Sequence, residues 1–447
     1  MNLHNKKKAS YLILILPLLF LPQTCFALSE KATDKVDSRD MSADKEVIIL
    51  SKEKAIELAL KNNHDILAKK EEIKEASARL TQAHSAIFPS IRGSAYYARY
   101  ENHPFIPFED NRGYSFSVDQ LLFAGGRVAN TIDSARKDLR ATKESQKEME
   151  NKIVFQTKQA FYGILLAEEF VQIRKKTLGL AEESLVVTEK RFRKGEASHY
   201  EVLRSEVEVA NIRPQLIKAE NFLKTSYNFL KILVGISPAR EIKIKGEFDY
   251  ILEEEINLEE KLARALQIRP ALKEMILQEE AAEAQVRVAF SGYLPQVGLN
   301  FTNFANQKEA FTVGRGEYDD YWVATVSVSM PIFDGFLTRA KVKEAGVRKE
   351  RVRILRNKLT DNIKIEVKNT ILDLESARRI VEAQKVNIIR AEKAYEIIRH
   401  RHIRGEAMQL DLLDARVALS TAQLNYAQSL YDFIVARAKL DYVTGGE

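Results

Sequence analysis

Most of this chain is written twice. Displaced by 206 residues, Ala59-Leu60 falls on Ala265-Leu266 and Pro89 falls on Pro295. Displaced by 210, Phe123-Ala-Gly125 falls on Phe333-Asp-Gly335, Gly195-Glu-Ala197 on Gly405-Glu-Ala407, and Leu233-Val-Gly235 on Val443-Thr-Gly445. Self-similarity over such a period means two copies of one structural unit. Whatever that unit forms, the chain forms it twice.

Each unit has the same order of patterns. A helical stretch runs from about Lys52 to Ala86, and its counterpart from Leu258 to Phe290. Both end before a proline, which disfavours helix in the residue preceding it. Strand-like segments follow at about 90–100 and 114–122, and again at about 296–304 and 321–330. The second strand of each pair alternates. Tyr114, Phe116 and Val118 oppose Ser115, Ser117 and Asp119, and Trp322, Ala324, Val326, Val328 and Met330 oppose Thr325, Ser327 and Ser329. A period of two with one greasy side and one wet side marks a strand that separates two environments.

Two helical runs then dominate. Residues 127–194 and 337–404 each span 68 positions without a proline, roughly 100 Å at the α-helical rise. A Gly-Glu-Ala turn reverses each, and return helices are expected at 197–233 and 407–443, with Pro214 favouring a bend in the first. Ile164, Val171, Leu178, Leu185 and Phe192 recur every seven residues, as do Leu374, Val381, Ile388, Tyr395 and His402. Small residues follow three positions later at Ala167, Ala181, Ala377 and Ala391. This is the pattern of a left-handed coiled coil with close helix approach, although an ordinary bundle core has the same heptads. The expected organisation is a first repeat at 47–235, a linker at 236–257 and a second repeat at 258–447.

The first residues read as an export signal. Lys6, Lys7 and Lys8 precede the apolar run Tyr11 to Leu21, which is too short to span a bilayer as a helix and suits a secretory core. Cys25-Phe26-Ala27 sets small residues before a cleavage point after Ala27, giving a signal peptide at 1–27 and a flexible leader at 28–46. The alternative is lipidation at Cys25, for which Pro22-Gln23-Thr24 is a poor recognition sequence. The 18 glycines and 10 prolines are about half of average usage, which suits long uninterrupted elements. The 69 basic and 63 acidic residues are intermixed, as on solvated helices, so no nucleic-acid partner is expected. Phosphate-loop, metalloprotease and serine-hydrolase motifs are absent from the sequence, so neither an enzyme nor a cofactor is expected.

Four one-sided strands in an exported chain pose a physical problem. Backbone groups in lipid must all be paired, so an open four-stranded sheet cannot span a membrane alone. Known single-chain barrels start at about eight strands. Copies of the chain must therefore share a barrel: two give eight strands, three give twelve and four give sixteen, and twelve leave a lumen where eight fill with side chains. The competing reading is an exported coiled-coil scaffold that binds partners and buries its strands in a soluble sandwich.

The duplicated unit, the segment Gln120-Leu-Leu-Phe-Ala-Gly-Gly126 with its partner Met330-Pro-Ile-Phe-Asp-Gly335, and the turn Gly405-Glu-Ala-Met-Gln-Leu-Asp-Leu-Leu-Asp-Ala415 together resemble the TolC family of outer-membrane efflux proteins. The resemblance covers essentially the whole chain after the signal. It implies a mainly α-helical fold with a small membrane β part: a homotrimer whose 12-stranded β-barrel sits in outer-membrane lipid and continues into a periplasmic α-helical barrel. It also implies a periplasmic adaptor and an inner-membrane transporter as partners. Such a protein is the passive exit duct of a tripartite efflux or type I secretion system.

The resemblance assigns Asp411 and Asp414 to the gate at the periplasmic tip. Residues three apart share a helix face, and acidic rings attract cations. The plainer reading is a pair of carboxylates complementing a helix N-terminus. Ala407 departs from the family pattern where a basic residue helps tether the closed gate, and His402 stands in place of a tyrosine, leaving Arg401 and Arg404 as candidate basic partners. Glu201 and Arg204 hold the first-repeat positions of the two acids. By the same resemblance Lys194, Gly195, Glu196, Arg404, Gly405 and Glu406 contact the adaptor, while a solvated turn would have the same composition. His199, His400 and His402 gather near that end, where a pH response or metal ligation competes with plain exposure.

Overall fold

The computed structural model describes residues 48–101, 110–248, 256–307 and 318–446. The expected signal peptide and leader lie outside the described residues. The first repeat contains β1 (Ile48–Leu50), α1 (Lys52–Asn62), α2 (His64–Ser85), β2 (Ser90–Arg99), β3 (Asp110–Ala124), α3 (Arg127–Arg193) and α4 (His199–Val234). The linker holds β4 (Ile242–Ile244), and the second repeat contains α5 (Leu258–Ile268), α6 (Pro270–Phe290), β5 (Gln296–Gln307), β6 (Tyr318–Ser329), α7 (Leu337–Ile403) and α8 (Gln409–Val443). Helix α4 runs through Pro214 without breaking.

The single helices expected at Lys52–Ala86 and Leu258–Phe290 are each two helices, a correction with a local cause. Asn63 is extended, and its side-chain carbonyl accepts from the Asp65 and Ile66 N–H groups at 2.9 and 3.4 Å, capping α2. At the matching break Pro270 opens α6, where its fixed φ and missing N–H suit the first helical position. Both signals stand in the sequence, masked by the helical periodicity that continues on either side.

These breaks are where the return helices end. Gly235 closes α4 in the left-handed region (φ 66°), and a Cβ there would lie 2.6 Å from the Asn62 carbonyl oxygen. Gly445, just past α8, has φ 108° and would place a Cβ 2.6 Å from Ile268 Cγ1. The repeated Val-Gly and Thr-Gly motifs thus record one packing constraint, a backbone pressed against a helix break. Asn63 seals the first crossing by donating its amide to the Leu233 carbonyl at 3.0 Å.

Arg269 fills the equivalent place in the second repeat. Its buried guanidinium donates to Glu366 at 2.6 Å, lies 3.7 Å from Glu148 and stacks over the Tyr442 ring at 5.6 Å. Glu148 in turn accepts from the Tyr442 hydroxyl at 3.0 Å and from the Ala271 N–H at 3.3 Å. Burial together with the Glu148 carboxylate pushes the Tyr442 phenol up to about 12. One charged cluster ties the α5–α6 break to α3, α7 and α8.

The largest core lies at the same level. Leu50, Ile66, Phe161, Ile164, Leu230, Val234, Ile363, Val367 and Val443 pack together there, each such burial being worth about 1.5–3 kcal/mol. The linker joins in: β4 pairs in parallel with β1, Ile48 opposite Ile242. Strands of three residues show no readable period, so this pairing had no sequence signal. Toward the turns the core thins to a small cluster of Ala181, Val209 and Ile212. Along the heptad, Ile164 and Val171 are buried, Leu178 and Leu185 half-buried, and Phe192 exposed. Side by side, the long helices pack in the order α4, α3, α8, α7.

Replacing Arg269 by Ala removes the shared cation from Glu366 and Glu148 and leaves a cavity. It is expected to cost about 3–5 kcal/mol, read as a lowered midpoint in denaturant unfolding. Asn63→Ala, which breaks a neutral amide bond and a cap, is expected to cost about 1–2 kcal/mol in the same measurement.

Candidate functional site

The four longer strands form one antiparallel sheet in the order β2-β3-β5-β6. At ten to fifteen residues each, they are long enough to cross a bilayer's hydrocarbon when tilted. Directly paired residues share a face, so register decides which side chains meet. Ile91, Val118, Phe301 and Ala324 fall in one row, Leu299 and Val326 in another, and Val297 and Val328 in a third. A register shift between Leu121 and Phe123 keeps Phe123 beside Val297. This apolar face is open, with Trp322 66% and Val328 68% exposed.

The other face is polar and internally bonded. Ser94 and Ser115 share a hydrogen bond of 2.8 Å, and Asn300 donates to Asp119 at 2.7 Å and its carbonyl accepts from Thr302 at 3.0 Å. At the helical end of the sheet a band of exposed apolar side chains stands out: Phe88, Phe123, Phe290, Phe333 and Phe336. Aromatic side chains collect at membrane–water interfaces because they have an apolar body and tolerate the headgroup layer. Phe333 and Phe336 meet edge to face at 5.4 Å. Phe336 does so with φ 70°, where the first repeat has Gly126 at φ 80°. The aromatics at the strand ends were visible in the sequence, whereas their gathering into one band was not.

At the far ends of the long helices the two turns are built alike. Gly195 (φ 79°) and Gly405 (φ 76°) reverse the chain. The Glu196 N–H reaches the Arg191 carbonyl at 2.8 Å, and the Glu406 N–H reaches Arg401 at 2.8 Å, closing each helix in a Schellman-type end. Arg191 and Arg401 donate back to the carbonyls of Glu196 and Glu406 at 3.4 and 3.5 Å. Arg404 forks onto the Glu406 carboxylate at 3.0 and 3.1 Å. Lys194, Gly195, Glu196, Arg404, Gly405 and Glu406 are all exposed.

Both acids proposed for the gate stand in the first two turns of α8. The Met408 N–H donates to Asp411 at 3.0 Å, so this carboxylate serves the helix N-terminus. Glu201 does the same for Ser198 in the first repeat at 3.3 Å, where Ser198 also accepts from the Glu201 N–H at 3.3 Å. Asp414 is exposed on the face of Asp411, and Arg204, its counterpart, is half-buried. Within the chain Arg401 and Arg404 bond Glu406, and the structure does not bring them onto Asp411 or Asp414.

A polar layer behind the acids escaped sequence reasoning. The Gln409 amide, nearly buried, donates to Ser184 at 3.2 Å and Ser205 at 3.4 Å, linking α8 to α3 and α4. Seven residues on, Arg416 pairs with Glu208 at 3.0 Å, their side chains 3% and 10% exposed. The seven-residue spacing of Gln409 and Arg416 was a readable signal, but charged side chains at core spacing are ordinarily assigned to a surface. Of the histidines, His199 packs on Phe192 at 5.6 Å and His400 is exposed. His402 is half-buried. Burial pushes its imidazole below the usual histidine range, Arg191 and Arg416 add to this, and Gln409 and Glu201 oppose it. Among the described residues no three histidine, cysteine or acidic side chains are grouped as metal ligands, and no helix is long and apolar enough to cross a membrane.

The family model for outer membrane efflux proteins matches residues 55–235 and, a second time, residues 262–446. The chain belongs to the outer membrane efflux protein family. It is similar to the outer membrane efflux protein BepC of Brucella suis, at 23% identity with 88% of this chain and 84% of that one covered. It is likewise similar to the outer membrane protein TolC of Vibrio cholerae, at 22% identity with 87% and 89% covered. Its fold matches the solved structure of CusC with a TM-score of 0.77 at 19% identity, over 92% of this chain and 96% of that one. This efflux protein is therefore an outer-membrane channel with long helices outside the lipid.

The depressed His402 gives the tip of the efflux protein a pH dependence of known sign. The unfolded imidazole takes up protons first as pH falls through about 6.5, so local stability drops on acidification. Hydrogen exchange in the first turns of α8 should quicken between about pH 7.5 and pH 5.5. His402→Gln should flatten that response and His400→Gln should leave it intact.

Proposed function

We propose that three copies of this chain form a channel-tunnel through the outer membrane and periplasm, the exit duct of a tripartite efflux or type I secretion system. One observation carries this reading. The sheet ends in two outer strands, β2 and β6, and turns an uncovered apolar face outward. In lipid each open edge would leave unpaired backbone groups at several kcal/mol apiece. Pairing β6 of one copy with β2 of the next removes every edge, and three copies supply twelve strands around a polar lumen.

The helices favour the same closure. Helices α4 and α7 stand at the two ends of the helical array, and each carries exposed apolar residues seven apart: Phe222 and Phe229 on α4, Ile365 and Leu372 on α7. Heptad-spaced apolar residues fit a coiled-coil seam with a second copy. The phenylalanine band then rests in the outer-membrane interface, and the helices continue the lumen toward the inner membrane. Solutes pass without any bond being made or broken. An inner-membrane transporter supplies the energy, and a periplasmic adaptor docks on the Lys194–Glu196 and Arg404–Glu406 turns, whose mixed charges suit a steered, reversible contact.

Asp411 and Asp414 constrict the tip. Around a threefold axis they place six carboxylates in two layers, with Asp411 serving both the ring and the helix end. Opening then requires Arg401 and Arg404 to exchange partners between their own turn and a neighbour.

Extraction from outer membranes in mild detergent, followed by a native mass measurement, tests the assembly. A trimer released only by detergent is expected, and a carbonate-soluble monomer or dimer would refute it. In planar bilayers, Asp411→Asn combined with Asp414→Asn is expected to lower cation selectivity several-fold, read from the reversal potential in a salt gradient. An unchanged reversal potential would remove the gate assignment and leave the duct standing.

A further inference from the structure

Between α4 and α8, with α3 as its floor, lies a cleft of about 450 Å³. Arg174, Arg204 and Arg416 line it, and Glu208 is its sole acid. The remaining polar lining consists of hydroxyls and amides, among them Ser420 and Thr177. Arg416 spends one nitrogen on Glu208 at 3.0 Å. Its Nε, and the second Glu208 oxygen, are buried without a hydrogen-bond partner among the described residues. Arg174 reaches the Ser420 hydroxyl at 3.4 Å.

Three arginines thus line a cleft that holds one carboxylate, which pairs with Arg416 and lies within the field of Arg204. Burial pushes the Arg174 guanidinium below the usual arginine range and the Glu208 carboxyl above the usual carboxylate range. A half-buried surplus of positive charge costs free energy until an anion enters, and a buried donor without a partner costs more. Guanidinium forks match the planar edges of phosphate and carboxylate groups. We propose that this cleft is a binding site for a small oxyanion, a phosphate or solute carboxylate gripped by Arg174 and Arg204. Every lining group named here comes from one chain.

The test is calorimetric titration of the full-length protein in detergent with inorganic phosphate at fixed ionic strength. Arm two replaces phosphate by acetate, to separate a phosphate preference from general carboxylate binding. Saturable binding is expected, and Arg174→Gln with Arg204→Gln should weaken it about tenfold or more. Arg174→Lys, which keeps the charge and loses the fork, should fall between. Arg213→Gln, on α4 and paired with Glu182 at 3.0 Å outside the cleft, should bind as the parent does. Arg416 stays in place because its removal strands Glu208, and matching circular dichroism spectra establish that the variants fold. Absence of saturable binding, as when a neighbouring copy's acidic side chain fills the cleft, would overturn the proposal. Equal affinity in the double variant would do so too.

Discussion

Hydrocarbon offers a backbone amide no partner, and the architecture of this chain answers that fact. Its four long strands satisfy one another along β2-β3-β5-β6 and then stop, leaving outer edges at β2 and β6. A soluble protein would cover the apolar face with a helix or a second sheet. Here the helices leave the sheet at one end instead, and a phenylalanine band marks the boundary. The long helices then extend away from the sheet.

Duplication let the two halves share constraints and divide labour. Both halves keep a glycine at positive φ against a helix break, Gly235 pressed on the Asn62 backbone and Gly445 on the Ile268 side chain. Where only a polar seal was needed, the halves diverged, with Asn63 bonding one carbonyl and Arg269 organising a cluster of ions. At the tips the split is sharper. Ser198 and Glu201 cap α4 reciprocally, whereas Met408 leaves Asp411 as the acid that holds the start of α8. Asp414 faces outward where the first half has a half-buried arginine at 204. Charge is therefore distributed unequally between two structurally equivalent turns.

How the two hairpins hold each other was the least legible feature. The Arg416–Glu208 pair and the Gln409 amide connect α8 to α4 and α3 across about two hundred positions of sequence separation. Periodicity reports which face of a helix is apolar and is silent about which distant carboxylate an arginine meets. The breaks at Asn63 and Pro270 were legible in kind, an N-cap and an N1 proline, yet they were overridden by the longer helical pattern around them. Asp411 was identified as a residue of interest by family position, and its bond to the Met408 N–H reveals a second duty that the simpler helix-end argument had already offered.

The sequence alone determined that the chain is a tandem of one mainly helical unit, that its strands separate an apolar from a polar environment, and that it belongs with outer-membrane channels. The first two properties are local or periodic, set by proline spacing, alternation and heptads, and the third rests on motifs that resemble a known family, so all survive being read in one dimension. Tertiary structure decided the strand order that joins the two repeats through β3 and β5, the parallel β1–β4 clasp, and the buried ions at Arg269 and Arg416. Each depends on side chains or strands distant in sequence meeting at contact distance. That proximity comes from packing the two units together, and no pattern along the chain encodes it.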